Sequence, residues 1–213
     1  MPGRTRVKIC GITTVEALDA AANAGADAVG FVFVPGSPRH IEPEKAWPLV
    51  NICAPMVTTV GLYQNLSVDG FSDIFERCPT DLTQLHGTEP VKTVQACGPQ
   101  LIKSVKFNEA TIDEELKRWE EVDEVDAILV DGSAGGEGVS FDWSLLKAAI
   151  ERTGVRKPIV LAGGLTPENV GEAIGAVRPW AVDVSSGVER ERGVKDAGLI
   201  EAFCRAVREA DAG

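Results

Sequence analysis

The chain has 213 residues, of which 44% are hydrophobic and 25% are charged, a composition typical of a folded globular protein and not of a disordered or fibrous one. Its formal net charge of −11 at pH 7 argues against a nucleic-acid partner, because binding to a phosphate backbone relies on clustered positive charge. No signal peptide is evident and no apolar stretch is long enough to span a bilayer, so we expect no membrane partner.

The five cysteines lack any C-x-x-C pair and are scattered along the chain: Cys10, Cys53, Cys78, Cys97 and Cys204. An odd, scattered set is typical of free thiols in a reducing compartment and not of a disulfide framework or a zinc site. We therefore expect a cytoplasmic protein without a metal site.

Short β-branched runs alternate with longer segments of helical period along the whole chain. The strands are predicted at residues 6–10, 28–34, 56–63, 81–86, 101–107, 127–131, 158–162 and 181–185. The helices are predicted at residues 14–26, 43–52, 68–77, 90–96, 112–119, 143–153, 167–177 and 197–209. Caps, prolines or acids at Thr14, Thr166-Pro-Glu168, Asp142 and Lys195-Asp196 mark expected helix starts.

This alternation predicts βαβ units and a parallel sheet, which right-handed crossovers can wind into an open sheet or a closed barrel. Two features favour closure: the number of repeats is eight, and glycine-rich or polar loops follow several strands. The fold class is therefore α/β, a (β/α)8 TIM barrel. No linker or shift in composition divides the chain, so we expect a single domain over residues 1–213.

In such a barrel the chemistry lies at the carboxyl ends of the strands. Alternation along the first strand puts Lys8 and Cys10 on one face and the apolar pair Val7 and Ile9 on the other. The apolar pair suits the face that meets the helices, so Lys8 and Cys10 are expected to point inward, with Cys10 at the mouth. The alternative is that Cys10 is merely a small buried hydrophobic residue.

The sixth strand ends in Asp131, beside a glycine-rich loop that includes Gly136. A thiol and a carboxylate at one mouth suit proton transfer in two directions, with a thiolate as base and a carboxylic acid as donor. The alternative for Asp131 is a residue that caps a helix or anchors its loop.

The loops after strands seven and eight contain Gly163, Gly164, Ser186 and Gly187. Small residues let backbone amides approach a ligand, and phosphate sites of barrels recur at these two loops. The alternative is that both loops are only tight turns. We expect amides, and not a basic cluster, because neither loop has a cation before Arg190.

Arg39 follows the second strand in a proline-stiffened loop, where its planar guanidinium can bind a carboxylate through two bonds. The alternative is a solvated surface arginine. His86 ends the fourth strand without partners at the spacing of metal ligands, so it is assigned no metal.

Taken together, the chain resembles the phosphoribosylanthranilate isomerase family over nearly its whole length. The matching segments, in family order, are Lys8-Ile-Cys-Gly-Ile12, Gly30-Phe-Val-Phe33 leading to Ser37-Pro-Arg39, Gly61-Leu-Tyr-Gln-Asn65, Gln84-Leu-His-Gly87, Leu129-Val-Asp131 with Gly135-Gly-x-Gly138, Phe141-Asp-Trp143, Leu161-Ala-Gly-Gly-Leu165 with Asn169-Val170, Asp183-Val-Ser-Ser-Gly-Val-Glu189 and Gly193-Val-Lys-Asp196. The resemblance implies a cofactor-free Amadori rearrangement in tryptophan biosynthesis. The chain carries no indole-glycerol-phosphate synthase half, so it resembles the monofunctional form.

The resemblance also implies roles for individual residues. Cys10 matches the general base, Asp131 the general acid and Arg39 the arginine associated with the anthranilate carboxylate. The phosphate cradle matches Gly163, Gly164, Ser186 and Gly187. Gly136, Lys8 and Asp183 are assigned with these residues to the substrate-binding surface. Lys8 is expected either to supply positive potential that favours a Cys10 thiolate or, more simply, to pair with Asp183.

Two other functions remain open from the sequence. A pentulose-phosphate epimerase normally needs paired acids with metal-binding histidines, and this chain has only His40 and His86. A non-catalytic barrel that binds phosphorylated metabolites would not need Cys10, Asp131 and Arg39 together. The expected partner is a small phosphorylated substrate, and the protein is expected to be a monomer or a homodimer. Acceptance of a second isomerisation substrate also stays open.

Overall fold

The computed structural model describes residues 3–132 and 141–213. Gly136 and its neighbours in the glycine-rich loop after the sixth strand lie outside the described residues. Five cysteine thiols are free, as the sequence predicts. Within the described ranges, no helix is both long enough and apolar enough to cross a membrane.

Strands and helices alternate through the described chain. The barrel strands are β1 Arg6–Cys10, β2 Ala28–Val32, β3 Thr58–Tyr63, β4 Leu82–Leu85, β5 Leu101–Lys106, β6 Val125–Asp131, β7 Ile159–Ala162 and β8 Ala181–Val184. The helices are α1 Val15–Ala24, α2 Pro43–Ile52, α3 Val68–Arg77, α4 Val91–Ala96, α5 Ile112–Glu120, α6 Trp143–Thr153, α7 Val170–Val177 and α8 Ala197–Ala212. Each lies where the sequence predicts an element, with ends that differ by a few residues.

The strands form one closed parallel barrel, which confirms the predicted fold class. β1 closes it by pairing with β2 on one side and with β8 on the other. In this register Lys8 lies opposite Asp183 and Cys10 lies opposite Gly30. The two faces of β1 therefore separate as alternation predicts: Val7 and Ile9 pack in the layer beneath the helices.

The barrel interior is filled by a separate set of small and branched side chains: Val60, Ile102, Ala127, Leu129, Val160, Ala162 and Ala181. Interdigitated layers of this kind make the inside of such a barrel a packed core and not a pore. Above them, Cys10 packs with Val32 and Leu62 at the carboxyl ends of their strands. The core thus supports a rigid floor for whatever binds at the mouth.

Three of the predicted helix starts are confirmed by side-chain caps. Thr14 accepts from the backbone N–H of Ala17, Asp142 from Ser144 and Asp196 from Leu199. The predicted start of α7 at Pro167 is wrong, because a turn holds residues 166–169 outside the helix. In that turn the N–H of Thr166 donates to Asn169 Oδ1 over 2.8 Å, and Asn169 Nδ2 donates to the carbonyl of Gly164 over 2.8 Å.

A small hairpin between β8 and α8 was not predicted. It follows a 3₁₀ turn at Ser186–Val188 and consists of β9 Glu189–Glu191 and β10 Val194–Lys195, paired antiparallel. Strands of three and two residues carry no detectable period of two, so the alternation rule has nothing to act on. The hairpin brings Glu189 and Lys195 back over the mouth of the barrel.

Candidate active site

A cavity of about 1000 Å³ opens at the carboxyl ends of the strands. Several residues predicted for the site line it together: Cys10, Arg39, Asp131, Gly163, Gly164, Asp183 and Ser186. Lys8 and Gly187 do not line the cavity themselves, but each adjoins a residue that does: Lys8 binds Asp183, and Gly187 packs against the carbonyl of Leu165. The volume suits a small-molecule ligand.

Cys10 is buried at the end of β1, 4% exposed. The facing residue is glycine for a steric reason: a Cβ at Gly30 would lie 2.9 Å from the Cys10 Sγ and 3.2 Å from the Lys8 Nζ. Burial raises the pKa of the Cys10 thiol, although the positive charges of Lys8 and Lys195 act to lower it. The cation expected beside the thiol is therefore present, but desolvation outweighs it and keeps Cys10 protonated in the free protein.

Lys8 pairs with Asp183 inside the barrel. Lys8 Nζ donates to Asp183 Oδ1 over 2.8 Å, and the side chains are 5% and 8% exposed. Burial acts to lower the pKa of Lys8, but the negative charge of Asp183 and the hydrogen bonds to Asp183 and Cys10 raise it overall. The simpler of the two interpretations of Lys8, an inward ion pair, is confirmed.

Asp131 ends β6 and approaches a histidine that sequence reasoning left without a role. His86 Nε2 lies 3.4 Å from Asp131 Oδ2. On its other side, His86 Nδ1 lies 3.0 Å from Gln84 Nε2. Alternation along β4 would have predicted the Gln84–His86 contact alone, since these two residues are two positions apart and share the inward face.

Arg39 is not a solvated surface arginine, since its side chain is only 13% exposed. Its Nε and Nη2 donate to the two carboxylate oxygens of Glu189, over 2.7 and 2.9 Å. The edge of the guanidinium formed by Nε and Nη2, which was predicted to bind a substrate carboxylate through two bonds, is therefore occupied by a carboxylate of the protein. A ligand carboxylate would have to meet the Nη1 side of the guanidinium.

Glu189 also binds Lys195, so two cations converge on one buried carboxylate. Lys195 Nζ donates to Glu189 Oε1 over 2.7 Å and to the carbonyl of Ser185 over 2.9 Å. Burial alone would raise the pKa of Glu189, but hydrogen bonds from Arg39, Lys195 and the backbone of Gly193 hold it at about 2. The eighth-strand loop has no cation of its own before Arg190, but the hairpin folds Lys195 back against Ser185.

The ion-paired cluster of Arg39, Glu189 and Lys195 is linked to the backbone of Cys10 through Ser185. Ser185 Oγ donates to the carbonyl of Cys10 over 3.0 Å, and Lys195 Nζ lies 3.3 Å from the same Oγ. The chain of contacts therefore joins Arg39, at one side of the mouth, to the end of β1.

The glycines of the loops after β7 and β8 either have a backbone conformation that favours glycine or pack too closely for a side chain. Gly163 and Gly164 have φ values of +90° and +67°, in the region that favours glycine. A Cβ at Gly187 would collide with the carbonyl oxygen of Leu165, so the two loops are in direct contact. Tight packing accounts for Gly187, while the open lining position of Gly163, Gly164 and Ser186 leaves room for a ligand at their backbone.

Among residues 3–132 and 141–213, no group of three or more His, Cys, Asp or Glu side chains is arranged to hold a metal ion. The chemistry available at this mouth is that of a thiol, a carboxyl group, an imidazole and buried cations. Such groups can move protons and bind an anion.

Comparison with known proteins gives a consistent result. The family model for N-(5′-phosphoribosyl)anthranilate (PRA) isomerase matches residues 7–206. N-(5′-phosphoribosyl)anthranilate isomerase of Leptothrix cholodnii is 43% identical, over 99% of this chain and 94% of its own length. The Pseudomonas putida enzyme of the same name is 45% identical, over 96% and 98%.

Solved structures agree in fold. Phosphoribosyl anthranilate isomerase of Thermus thermophilus superposes with a TM-score of 0.86 at 35% identity, over 96% of this chain and 99% of that chain. A complex of such an isomerase with reduced 1-(o-carboxyphenylamino)-1-deoxyribulose 5-phosphate has a TM-score of 0.84 at 38% identity, with the same coverage. The chain therefore belongs to the N-(5′-phosphoribosyl)anthranilate isomerase family and converts N-(5′-phosphoribosyl)anthranilate to 1-(2-carboxyphenylamino)-1-deoxyribulose 5-phosphate in tryptophan biosynthesis.

Proposed function

We propose that Cys10 and Asp131 are the general base and the general acid of this isomerisation. One observation carries the proposal: both side chains line the same cavity, from the carboxyl ends of β1 and β6. A substrate held between them would meet a proton donor and a proton acceptor in one binding mode.

The acid acts first. Asp131 donates a proton to the furanose ring oxygen, and the bond between that oxygen and C1′ breaks with its electron pair going to the oxygen. The lone pair of the anilino nitrogen forms the C=N bond, which gives an open-chain Schiff base whose nitrogen keeps its proton and carries a positive charge. Asp131 is left as a carboxylate.

The base acts second. The Cys10 thiolate removes the proton from C2′, which gives an enolamine that tautomerises to the ketone. Because burial keeps the thiol protonated in the free protein, the thiolate is a minor form there, and Lys8 and Lys195 are the charges that favour it. Catalytic contacts of this kind commonly tighten only when substrate is bound.

The two ends of the substrate are proposed to bind at opposite sides of the mouth. Backbone amides around Gly163, Gly164, Ser186 and Gly187 would hold the phosphate, and Arg39 would hold the anthranilate carboxylate through its Nη1 side. Lys8 and Asp183 would shape the floor between them without forming the phosphate site. Support comes from the positive φ values of the two glycines and from the cavity that they line.

We further propose a cytoplasmic enzyme made of one domain over residues 1–213. Free thiols suit a reducing compartment. The oligomeric state is proposed to be a monomer or a homodimer. A solved relative from Thermotoga maritima, 38% identical, is described as monomers of a dimeric phosphoribosylantranilate isomerase.

The proton-transfer roles are tested by Cys10→Ala and Asp131→Asn. Each substitution removes one proton-transfer group without changing the barrel, so kcat should fall by at least about 10²-fold, in line with the usual contribution of a general acid or base. Turnover is followed by the loss of anthranilate-type fluorescence on addition of freshly made phosphoribosylanthranilate, and circular dichroism checks the fold.

The matched control is Cys53→Ala, a second cysteine that lies away from the mouth in the turn after α2. It should leave kcat within about twofold of the original value. Near-normal turnover of Cys10→Ala or of Asp131→Asn would remove that residue from its proposed role.

A further inference from the structure

Gln84 and His86, at the end of β4, form a row of contacts that leads to Asp131 at the end of β6. Gln84 Nε2 lies 3.0 Å from His86 Nδ1, and His86 Nε2 lies 3.4 Å from Asp131 Oδ2. An amide nitrogen can only donate, so the bond from Gln84 requires His86 Nδ1 to be the acceptor. A neutral imidazole then carries its proton on Nε2, the atom that faces Asp131.

Gln84 is not explained by the stability of the core. It is fully buried, and among the described residues its Oε1 has no hydrogen-bond partner. A buried amide oxygen left unpaired costs free energy, and an apolar side chain of similar size would avoid that cost. What the amide does provide at this position is the bond to His86.

The segment that carries His86 is fixed by a buried ion pair. Lys103 Nζ donates to the carbonyls of Leu85 and Gly87, on either side of His86, over 3.2 and 2.8 Å. It also binds Glu89 over 2.9 Å, and both side chains are 2% exposed. The backbone N–H of His86 donates to the carbonyl of Tyr63 over 2.8 Å. The ring of His86 is therefore presented to Asp131 from a rigid base.

We propose that Gln84 fixes His86 as the tautomer with its proton on Nε2, and that His86 donates this proton in a hydrogen bond that orients Asp131. Both are positioning residues, since they act through Asp131. When Asp131 has given its proton to the substrate, the N–H of His86 stabilises the carboxylate that remains. The 3.4 Å contact of the free protein shortens as that charge develops. The inference rests on the proposed role of Asp131 as the acid.

The tautomer can be measured directly, because the chain has only two histidines. In ¹⁵N-histidine-labelled protein at a pH where His86 is neutral, NMR should show a protonated Nε2 and an unprotonated Nδ1, with His86→Gln used for assignment. Gln84→Glu replaces the donor by a carboxylate, which can only accept, so it should move the proton to Nδ1. A proton on Nδ1 in the original protein, or a tautomer unchanged in Gln84→Glu, would overturn the proposal.

Kinetics supply the second measurement. His86→Ala and Gln84→Glu should each lower kcat by about 10-fold, the usual value of one hydrogen bond to a charged group, while KM changes by less than about twofold. His86→Gln keeps an N–H donor and should recover part of the loss. The matched control is Gln95→Glu, which introduces the same charge at an exposed position of α4 outside the cavity lining and should leave kcat nearly unchanged.

A rise in KM equal to the fall in kcat, or an equal effect of Gln95→Glu, would contradict a role through the acid. The role of Asp131 as the acid and the arrangement of Gln84 and His86 behind it are tested separately. Asp131→Asn tests the acid alone, and the NMR measurement on the original protein tests the Gln84–His86 arrangement alone, even if a variant with a buried charge does not fold.

Discussion

Three lysines close to the reaction centre, Lys8, Lys103 and Lys195, have side chains that are at most 5% exposed. Each is paired with a carboxylate, because a buried ion without a partner costs several kcal/mol. In a protein with a net charge of −11, these pairs place positive charge at the mouth without leaving it uncompensated. The same pairing accounts for the depressed pKa of Glu189.

The pairing of Glu189 predicts a pH-dependent stability. Its folded-state pKa of about 2 lies below its ordinary value, so its contribution to stability is complete above about pH 4.5 and is lost as the pH falls through about 2. Glu189→Gln should therefore lower the free energy of unfolding by about 2 kcal/mol at pH 7, as measured by urea denaturation. The difference from the original protein should shrink as the pH falls towards 2.

The control for this prediction is Glu191→Gln, an exposed carboxylate on the same hairpin strand, which should change stability little at any pH. A loss in Glu189→Gln that stays constant from pH 7 down to pH 2 would show that Glu189 does not act through its charge.

At this scale the sequence predicted side-chain directions and one partner, Asp183 for Lys8, but not the partners of Arg39 and His86. Alternation along β1 was sufficient to point Lys8 and Cys10 inward. The partner of Arg39 is Glu189, 150 residues away in the sequence, and no local pattern encodes a contact at that separation. The His86–Asp131 contact was not predicted from the sequence, for the same reason.

Among the elements, the loops after β7 and β8 carry the proposed phosphate site, and the sequence identified both from their small residues. Their packing could not be read in advance, because the contact of Gly187 with Leu165 depends on how two crossovers meet. The β9–β10 hairpin was missed entirely, since its strands are too short to show a period. Yet this hairpin supplies both Glu189 and Lys195.

For the proposed phosphate loop we predict that substitution has different effects at two glycines with nearly the same positive φ. Gly164 has φ +67° at the mouth, and Gly154 has φ +68° at the end of α6. Valine at either position should cause a similar strain. Only Gly164→Val should block the approach of a phosphate, so it should raise KM and the inhibition constant of inorganic phosphate by about 10-fold or more, while Gly154→Val should change neither.

Arg190→Ala supplies the complementary control, because Arg190 is an exposed residue of the hairpin and should contribute little. Equal increases in the phosphate inhibition constant for Gly164→Val and Gly154→Val would attribute the effect to strain. A large increase for Arg190→Ala would move the phosphate site to a basic side chain.

For the whole molecule, the number and order of the repeats were enough to predict the closed barrel. Eight strands alternating with helices leave few topologies once crossovers are right-handed. Closure itself is a long-range event: β1 pairs with β8 through Val7 opposite Val182. The sequence predicted that this seam between β1 and β8 exists, but not which side chains stabilise it.

The seam is secured where the two ends of the described chain meet. The carboxylate of Asp211, near the end of α8, accepts from the backbone N–H and from the hydroxyl of Thr5, each over 2.7 Å. These residues are 206 positions apart in the sequence, so the two bonds join α8 to the start of β1. They lie at the amino-terminal end of β1, away from the mouth.

Asp211→Ala should therefore lower the free energy of unfolding by about 1 kcal/mol, because it removes both acceptors of the seam. Urea denaturation measures this loss, and Glu209→Ala, an exposed acid on the same helix, should show little change. The kcat and KM of Asp211→Ala should stay within about twofold of the original values, since the strands that carry Cys10 and Asp131 keep their register. An unchanged urea midpoint would mean that β1–β8 pairing closes the barrel without help from α8, whereas a large fall in kcat would mean that the seam also sets the geometry of the mouth.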